Sequence, residues 1–424
     1  MLESHHPKMF APKLGLASLF TLLSLAGCGG GNSESESAPA ITVQPSSITV
    51  TELQTASFSV TASGTAPLSY QWRRNGTPLA GATSATLTIA SALAADHGAR
   101  YSAVVTNSAG SATSAEASLT EELPVFLLGG QSNMEGNVDR TLFNSLLTEL
   151  ATGAATGMQA RLAEHIRYWH KDTNNGYASY GYTPEIAALE ASELIRLAAA
   201  GLVGSNLTTP DTKVLCAWNS KPVVPLTTNC GNPFGPELVF GQALGKAGYS
   251  STSLIKVAYG GTDLYVKWRS PRSGGTVGPL YTQLRSRIES LKLAPASVNP
   301  SCVSQGCRWA AFVWFQGESD SFDSAHGLSY EQNLKDLIAD VRSDVGSPTL
   351  PVVIVQTGGW AQSLTFGKTV ANAQKAVVAA DKYARLVDTS DLSKFYHYDP
   401  AAQLIIGDRV AQAVKALLVA TPTP

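Results

Sequence analysis

From residue 123 to about 418, the hydrophobic positions fall into short continuous runs separated by stretches of helical period. The runs occupy 125–128, 254–258, 310–315, 352–355 and 385–387. Unbroken apolar runs of this length read as strands buried on both faces. Between them, Leu334, Leu337, Ile338, Val341 and Val345 share one helical face, and so do Leu284, Ile288 and Leu291. A last helix carries Ile405, Ile406, Val410, Val414 and Leu417. Strands alternating with helices predict an α/β domain with a parallel sheet covered on both faces. Residues 170–235 are poor in pattern and rich in Gly, Asn, Thr and Pro. They are expected to form long loops that wall a site.

Residues 41–120 follow a different rhythm. Ala56, Phe58 and Val60 alternate with Ser57, Ser59 and Thr61, which leaves one face apolar. Asn75-Gly76 follows the run 70–74 and is a strong hairpin signal. Further strands are expected at 86–89 and 101–105, and together these make a small all-β sandwich. The segment resembles an immunoglobulin-like domain, with Trp72 as its core tryptophan and Tyr101 as its corner tyrosine. Val60 and Ala103 stand where that family carries disulfide cysteines, so packing must hold the two sheets together. A spacer, or a weak carbohydrate- or protein-binding module, is the expected role.

Lys8 and Lys13 precede a mostly apolar run, 14–27, which ends in Leu25-Ala26-Gly27-Cys28. The run is shorter than the roughly 20 residues of a membrane-spanning helix. It reads as a secretory signal, and its end resembles a bacterial lipobox with Cys28 as the lipid-bearing first mature residue. Residues 1–28 are thus the signal and 29–40 a Gly/Ser/Glu tether. The remaining cysteines fall in two close pairs, Cys216/Cys230 and Cys302/Cys307, which suggest two local disulfides in an oxidising compartment. No histidine sits at ligand spacing around them, so a zinc site is the weaker reading. A net charge of -2 with 15% charged residues gives no sign of a nucleic-acid partner.

Candidate chemistry gathers where the apolar runs end. The first run stops at Gly129-Gly130-Gln131-Ser132-Asn133-Met134. Two glycines before a serine read either as a nucleophile's turn or as a Gly-rich loop with a capping serine. The second run leads into Tyr259-Gly260-Gly261-Thr262-Asp263, and the third into Gln316-Gly317-Glu318-Ser319-Asp320. His397-Tyr398-Asp399 precedes the final helix. In a parallel sheet the strand ends share one edge. That edge would collect a serine, glycine amides, a glutamine, carboxylates and a histidine, which is the inventory for nucleophilic acyl transfer. His165, His170 and His326 read as surface or loop histidines, with His326 close enough to the third block to line a pocket. Tyr259, Trp268 and Trp314 are candidates for stacking on a sugar ring.

These blocks together resemble the carbohydrate acetylesterases of the SGNH-hydrolase superfamily, a family that includes sialate O-acetylesterases and acetylxylan esterases. The resemblance covers residues 123–418 and implies a flavodoxin-like three-layer sandwich, here spanning about 122–421. Carried over by position, it implies Ser132 as nucleophile and His397 as general base. It also implies an oxyanion hole from the Ser132 amide, an amide of Gly260 or Gly261, and the Gln316 side chain. The family usually has an aspartate three residues before the histidine, and Lys394 stands there instead. The acid that orients His397 is therefore expected to be Glu318, with Asp391, Asp388 and Asp320 as alternatives. The implied reaction removes O-acetyl groups from sialic acid or xylan-type glycans through an acetyl-serine, without metal or organic cofactor.

The rival reading is a non-catalytic, glycan-binding surface lipoprotein with a decayed esterase domain. Lys394 favours it, whereas retention of Ser132, Gln316 and His397 speaks against it. Either way the expected location is a secreted bacterial lipoprotein anchored to a membrane or the cell surface. Gly29 does not look like an inner-membrane retention signal, which points to the outer membrane or periplasm. Cys28→Ser should move the protein out of the membrane fraction, and unchanged partitioning in a fractionation assay would refute the lipobox.

Overall fold

The structure, a computed structural model, describes residues 36–52, 54–136, 138–139, 184–200, 202, 213–217, 233–249, 252–392 and 397–420. Its axis is one 14-residue strand, Ala117–Gly130. The first part of this strand belongs to the β-sandwich. Ala117 and Ser118 pair antiparallel with Arg100–Asn107, and 119–122 pair parallel with Ile48–Thr51. From Leu123 onward the same strand lies between Ser253–Ala258 and Cys307–Phe315, parallel to both.

In the α/β part the strand order is Lys213–Ala217, Ser253–Ala258, Ala117–Gly130, Cys307–Phe315, Val352–Val355, Ala384–Val387, all parallel. Residues of opposite parity face opposite helical layers. Val125, Leu127, Ile255, Val257, Phe312 and Trp314 pack with Leu284, Ile288, Leu334 and Leu337. Phe126, Leu128, Leu254, Val313 and Phe315 pack with Phe240, Leu244, Ile405, Ile406 and Val410. Burial on both faces explains the unbroken apolar runs. The chain builds one side of the spanning strand first and then crosses to the other. That reversal puts the usual ligand crevice beyond Gly130.

Gly130 is required there. A Cβ would stand 2.1 Å from the Phe315 carbonyl oxygen and 2.9 Å from Met134 Cβ. The helix Ser324–Val345 is fixed at both ends. Asp323 accepts from the amides of Ala325 (2.8 Å) and His326 (3.1 Å), and Gly346 closes it in the left-handed conformation.

The sandwich has the expected core. Trp72, Tyr101, Phe58, Val60 and Ala103 are buried together, and the Phe58 and Tyr101 rings stack at 4.8 Å. Asn75 and Gly76 both have positive φ and close the expected hairpin. Residues 36–39 lie against the sandwich, where the Ser37 amide donates to Thr65 Oγ1 (2.8 Å).

The stretch 170–235 departs from expectation. It contains the helix Pro184–Ala199 and the sheet's edge strand Lys213–Ala217. Ala191, Leu194 and Leu197 bury one helical face in the core under the sheet. That periodicity is short and diluted by the Gly/Asn/Thr/Pro content on either side, so it is easily lost in a stretch-wide reading. Cys302 and Cys307 form a disulfide with Cα atoms 5.0 Å apart, closing the turn before Cys307–Phe315. Cys28, Cys230, His165, His170 and Lys394 lie outside the described residues, so the Cys216/Cys230 pair and the lipobox do as well. Among the described residues no helix is long and apolar enough to cross a membrane.

Where the spanning strand passes between its two sheets, Glu121 is fully buried and both its carboxylate oxygens lack a hydrogen bond. Its carboxyl is pushed up to about 7, first by burial and then by the charges of Glu52 and Asp96. The folded protein therefore holds this proton more tightly than the unfolded chain does. The resulting stability is present at low pH and is lost as pH rises through about 7. Glu121→Gln should raise Tm by several degrees at pH 8 and change it little at pH 5. A shift of equal size at both pH values would show that ionisation at the junction is not the cause.

Candidate functional site

Ser132 opens the four-residue helix Ser132–Glu135, directly after the spanning strand. The site is built around its neighbour, Asn133. Asn133 Nδ2 donates to Glu318 Oε1 (2.7 Å), in the block after Cys307–Phe315. Asn133 Oδ1 accepts from the Tyr398 amide (3.0 Å), and its carbonyl oxygen accepts from Gln403 Nε2 (3.2 Å). The residue after Ser132 thus bonds the residue after His397. Consecutive Cα atoms are about 3.8 Å apart, so this bond brings the backbones of Ser132 and His397 to one place.

The His397 segment has other supports. The Tyr398 hydroxyl lies 2.6 Å from Thr389 Oγ1, and its ring is buried beside Phe315. A side chain at position 358 would collide with that hydroxyl, which explains Gly358. Asp399 accepts from the Ala402 amide (2.8 Å) and caps the final helix, Pro400–Ala420. His397 itself is half-buried, and burial holds its pKa below the ordinary 6.5.

The expected contact between Glu318 and the His397 ring is not formed. Glu318 turns to Asn133 instead. Oε1 binds Asn133, and Oε2 is buried without a hydrogen bond. Burial pushes this carboxyl above the usual range, against the opposing pull of the Asn133 hydrogen bond. The alternatives are also elsewhere. Asp391 makes a two-pronged contact with Arg409 (2.7 and 2.6 Å). Asp388 accepts from the Ser390 amide, and Asp320 accepts from the amides of Leu264 and Tyr265. None of these four carboxylates is hydrogen-bonded to the His397 ring. Glu318 instead acts at one remove, by fixing the Asn133 that holds Tyr398.

Gln316 also departs from expectation. Its Nε2 lies near Gln131 Oε1 (3.1 Å), the Thr262 carbonyl (2.9 Å) and Asp320 Oδ2 (2.6 Å). With its two hydrogens taken up inside the protein, it has none to offer an oxyanion. The carboxylate of Asp320 draws the amide inward, and a charge-assisted bond of that length outweighs a neutral one. Asp320, fully buried, is raised to about 6 by burial, with the Leu264 and Gln316 hydrogen bonds opposing.

Gly260 sits beside Ser132, with a built Cβ only 3.5 Å from Ser132 Cβ, and its amide donates to Glu135 Oε2 (2.7 Å). Gly261 has positive φ, and a Cβ there would meet nothing within 4 Å. Behind the Ser132–Glu135 turn, buried Lys256 donates to Glu237 Oε1 (2.7 Å) and to the Glu135 carbonyl oxygen (2.9 Å). Burying these ions costs several kcal/mol each, and losing one partner typically costs about 3–5 kcal/mol. The pair thus clamps the end of the Ser132–Glu135 turn. Its signal in the sequence is a lone lysine in an otherwise apolar strand.

Trp268 and Trp314 are fully buried and meet edge to face at 5.1 Å, so neither stacks on a sugar. Tyr259 is 47% exposed and is free to do so. His326 stacks on Tyr265 at 4.6 Å. Asp263, Asp320 and His326 bring one donor atom each within 4.8 Å of one another. The amide bonds of Asp320 account for this cluster as a brace between two loops.

Residues 215–416 match the family described as carbohydrate esterase, sialic acid-specific acetylesterase, and residues 39–120 match the immunoglobulin I-set domain. The first match takes in Gly260, Gln316, Glu318 and His397. Ser132 lies ahead of it in sequence and is joined to it by Asn133. A probable carbohydrate esterase of Arabidopsis thaliana is 31% identical over 109 residues, which is 24% of this chain and 39% of that protein. The chain therefore spans well under half the length of this curated relative. Among solved structures, an Arabidopsis thaliana protein shares 20% identity, covering 70% of this chain and 98% of its own, with a TM-score of 0.43. A carbohydrate acetylesterase from Xanthomonas citri shares 14% identity, covering 89% and 75%, with a TM-score of 0.39.

The Asn133 bridge can be tested by stability. Asn133→Ala removes the side-chain donor from the buried Glu318 carboxylate and should cost about 2–3 kcal/mol in urea denaturation. Glu318→Gln keeps an acceptor for Asn133 and should cost less than half as much. Equal losses would show that Asn133 is not what satisfies Glu318.

Proposed function

We propose that this protein is a serine esterase that removes acetyl groups from carbohydrate. One observation carries the reading. Asn133 bonds Glu318 and Tyr398, so the segments bearing Ser132 and His397 meet at the carboxyl edge of the sheet beside Gly260. The family match over 215–416 supports the same chemistry, and the resemblance of the Ser132 block extends it to the nucleophile. The parallel sheet with helices on both faces agrees with the flavodoxin-like sandwich of SGNH hydrolases.

In this mechanism Ser132 Oγ attacks the acetyl carbonyl while His397 takes its proton. The oxyanion that forms is met by the Ser132 amide and an amide of Gly260 or Gly261. His397 then returns the proton to the departing sugar oxygen. Water, activated by the same imidazole, hydrolyses the acetyl-serine and releases acetate. Lipid attachment at Cys28 would hold the enzyme at a bacterial membrane, with the immunoglobulin-like domain between anchor and site.

Ser132→Ala in the full chain should abolish release of acetate from an aryl acetate, and equal rates would sink the serine assignment. Burial disfavours the imidazolium of His397, so the base stays neutral to a pH below 6.5. kcat/KM should therefore stay level from neutral pH down to about 6.5 and fall only below it. An acidic limb centred at 7 or higher would contradict His397 as the base.

A further inference from the structure

Two aromatic side chains form an exposed corner next to the candidate site. Phe322 is 57% exposed and Trp360 is half-buried, and their rings meet edge to face with centroids 5.8 Å apart. Rings set across one another in this way give an apolar floor and an apolar wall. Each ring is tied to a group that joins the Ser132 and His397 segments. Phe322 ends the single turn Ser319–Phe322, which directly follows Glu318, the partner of Asn133. Trp360 lies two residues beyond Gly358, whose missing Cβ makes room for the Tyr398 hydroxyl. The two loops are also bonded to each other, because the Phe366 amide donates to the Ser321 carbonyl oxygen (3.0 Å). The corner is therefore fixed relative to Ser132 and His397.

Tyr259 presents a further exposed ring on the opposite flank of Ser132. It follows Ser253–Ala258, whereas Phe322 and Trp360 follow Cys307–Phe315 and Val352–Val355, on the other side of the spanning strand. Neighbouring strands lie about 4.8 Å apart, so the outermost of these strand ends are about 14 Å apart. That span is wider than one sugar ring. We propose that Phe322 and Trp360 form a second sugar-binding position, which takes a ring of a carbohydrate chain other than the ring that carries the acetyl group. The inference rests on the esterase reading, and it makes acetylated chains the substrate in preference to free acetylated sugars. An aromatic face packs against the C–H bonds that make one face of a pyranose ring apolar. A protein partner fits the corner poorly. A stable interface takes about 800 Å² from each side, while one aromatic side chain buries about 150–250 Å².

The test compares kcat/KM of the full chain, Phe322→Ala, Trp360→Ala and Trp360→Phe. One series of substrates is partly acetylated methyl xyloside and xylotetraose, and a second is partly acetylated methyl glucoside and cellotetraose. 4-Nitrophenyl acetate reports on the reacting groups by themselves. The unmutated protein should prefer the tetraose to the single ring in at least one series. In that series each alanine variant should lower the ratio of tetraose to single ring about tenfold, through KM more than through kcat. Trp360→Phe keeps an aromatic face and should recover most of the ratio. No preference for either tetraose, or a ratio that either alanine variant leaves unchanged, would overturn the inference while the esterase reading stands. An alanine variant that changes only the oligomeric state in sedimentation would also overturn it and assign the corner to a second copy of this chain. If the unmutated protein cleaves neither the aryl acetate nor any of the sugar esters, the esterase reading fails and this inference falls with it.

Discussion

The hydrogen bonds of Asn133 are what the site depends on. They join segments separated by 185, 265 and 270 positions in the chain. Each partner comes from a different element: the loop after Cys307–Phe315, the turn before the final helix, and that helix itself. A buried amide that satisfies a buried carboxylate and a backbone N–H together is costly to disturb, because every group it leaves is stranded away from water. Ser132 and His397 are thereby held by groups one residue away from each of them.

That bridge works only because the spanning strand sets where its ends lie. Ala117–Gly130 is shared by the sandwich and the α/β sheet, and it places Ser132 at the reversal of strand order. Parallel neighbours flank its second half on both sides, and glycine is the only residue type that fits at position 130 against the Phe315 carbonyl. Two costly features sit along this axis. At the junction of the two sheets is the unpaired Glu121, and behind the Gly130 end is the Lys256–Glu237 pair clasping the Glu135 carbonyl. The first loosens the junction as pH rises, while the second stiffens the Ser132–Glu135 turn.

The acidic character of the site has a common physical origin. Glu318 and Asp320 are buried and raised, and Glu135 accepts from the Gly260 amide beside Ser132. Glu318 Oε1, both Asp320 oxygens and Glu135 Oε2 accept from backbone and side-chain amides that the strand ends present. Carboxylates in such positions organise loops first, and they act on chemistry through what those loops hold.

The sequence by itself determined the α/β class, the sandwich with Trp72 and Tyr101 at its core, the Cys302–Cys307 bridge and the sheet edge where the Ser132, Glu318 and His397 segments meet. Hydrophobic period and glycine position are local properties, and burial on both sheet faces amplifies them. It left the helix Pro184–Ala199 and the strand Lys213–Ala217 hidden, because their neighbours dilute short periodic signals. The directions of polar side chains were decided only by the tertiary structure. Glu318 turns to Asn133 and not to His397, and Gln316 turns to Asp320 and not toward an incoming oxyanion. A buried polar atom goes wherever a partner of opposite sense lies within about 3 Å. Those partners come from residues far apart in the chain, so only the folded arrangement could choose among them.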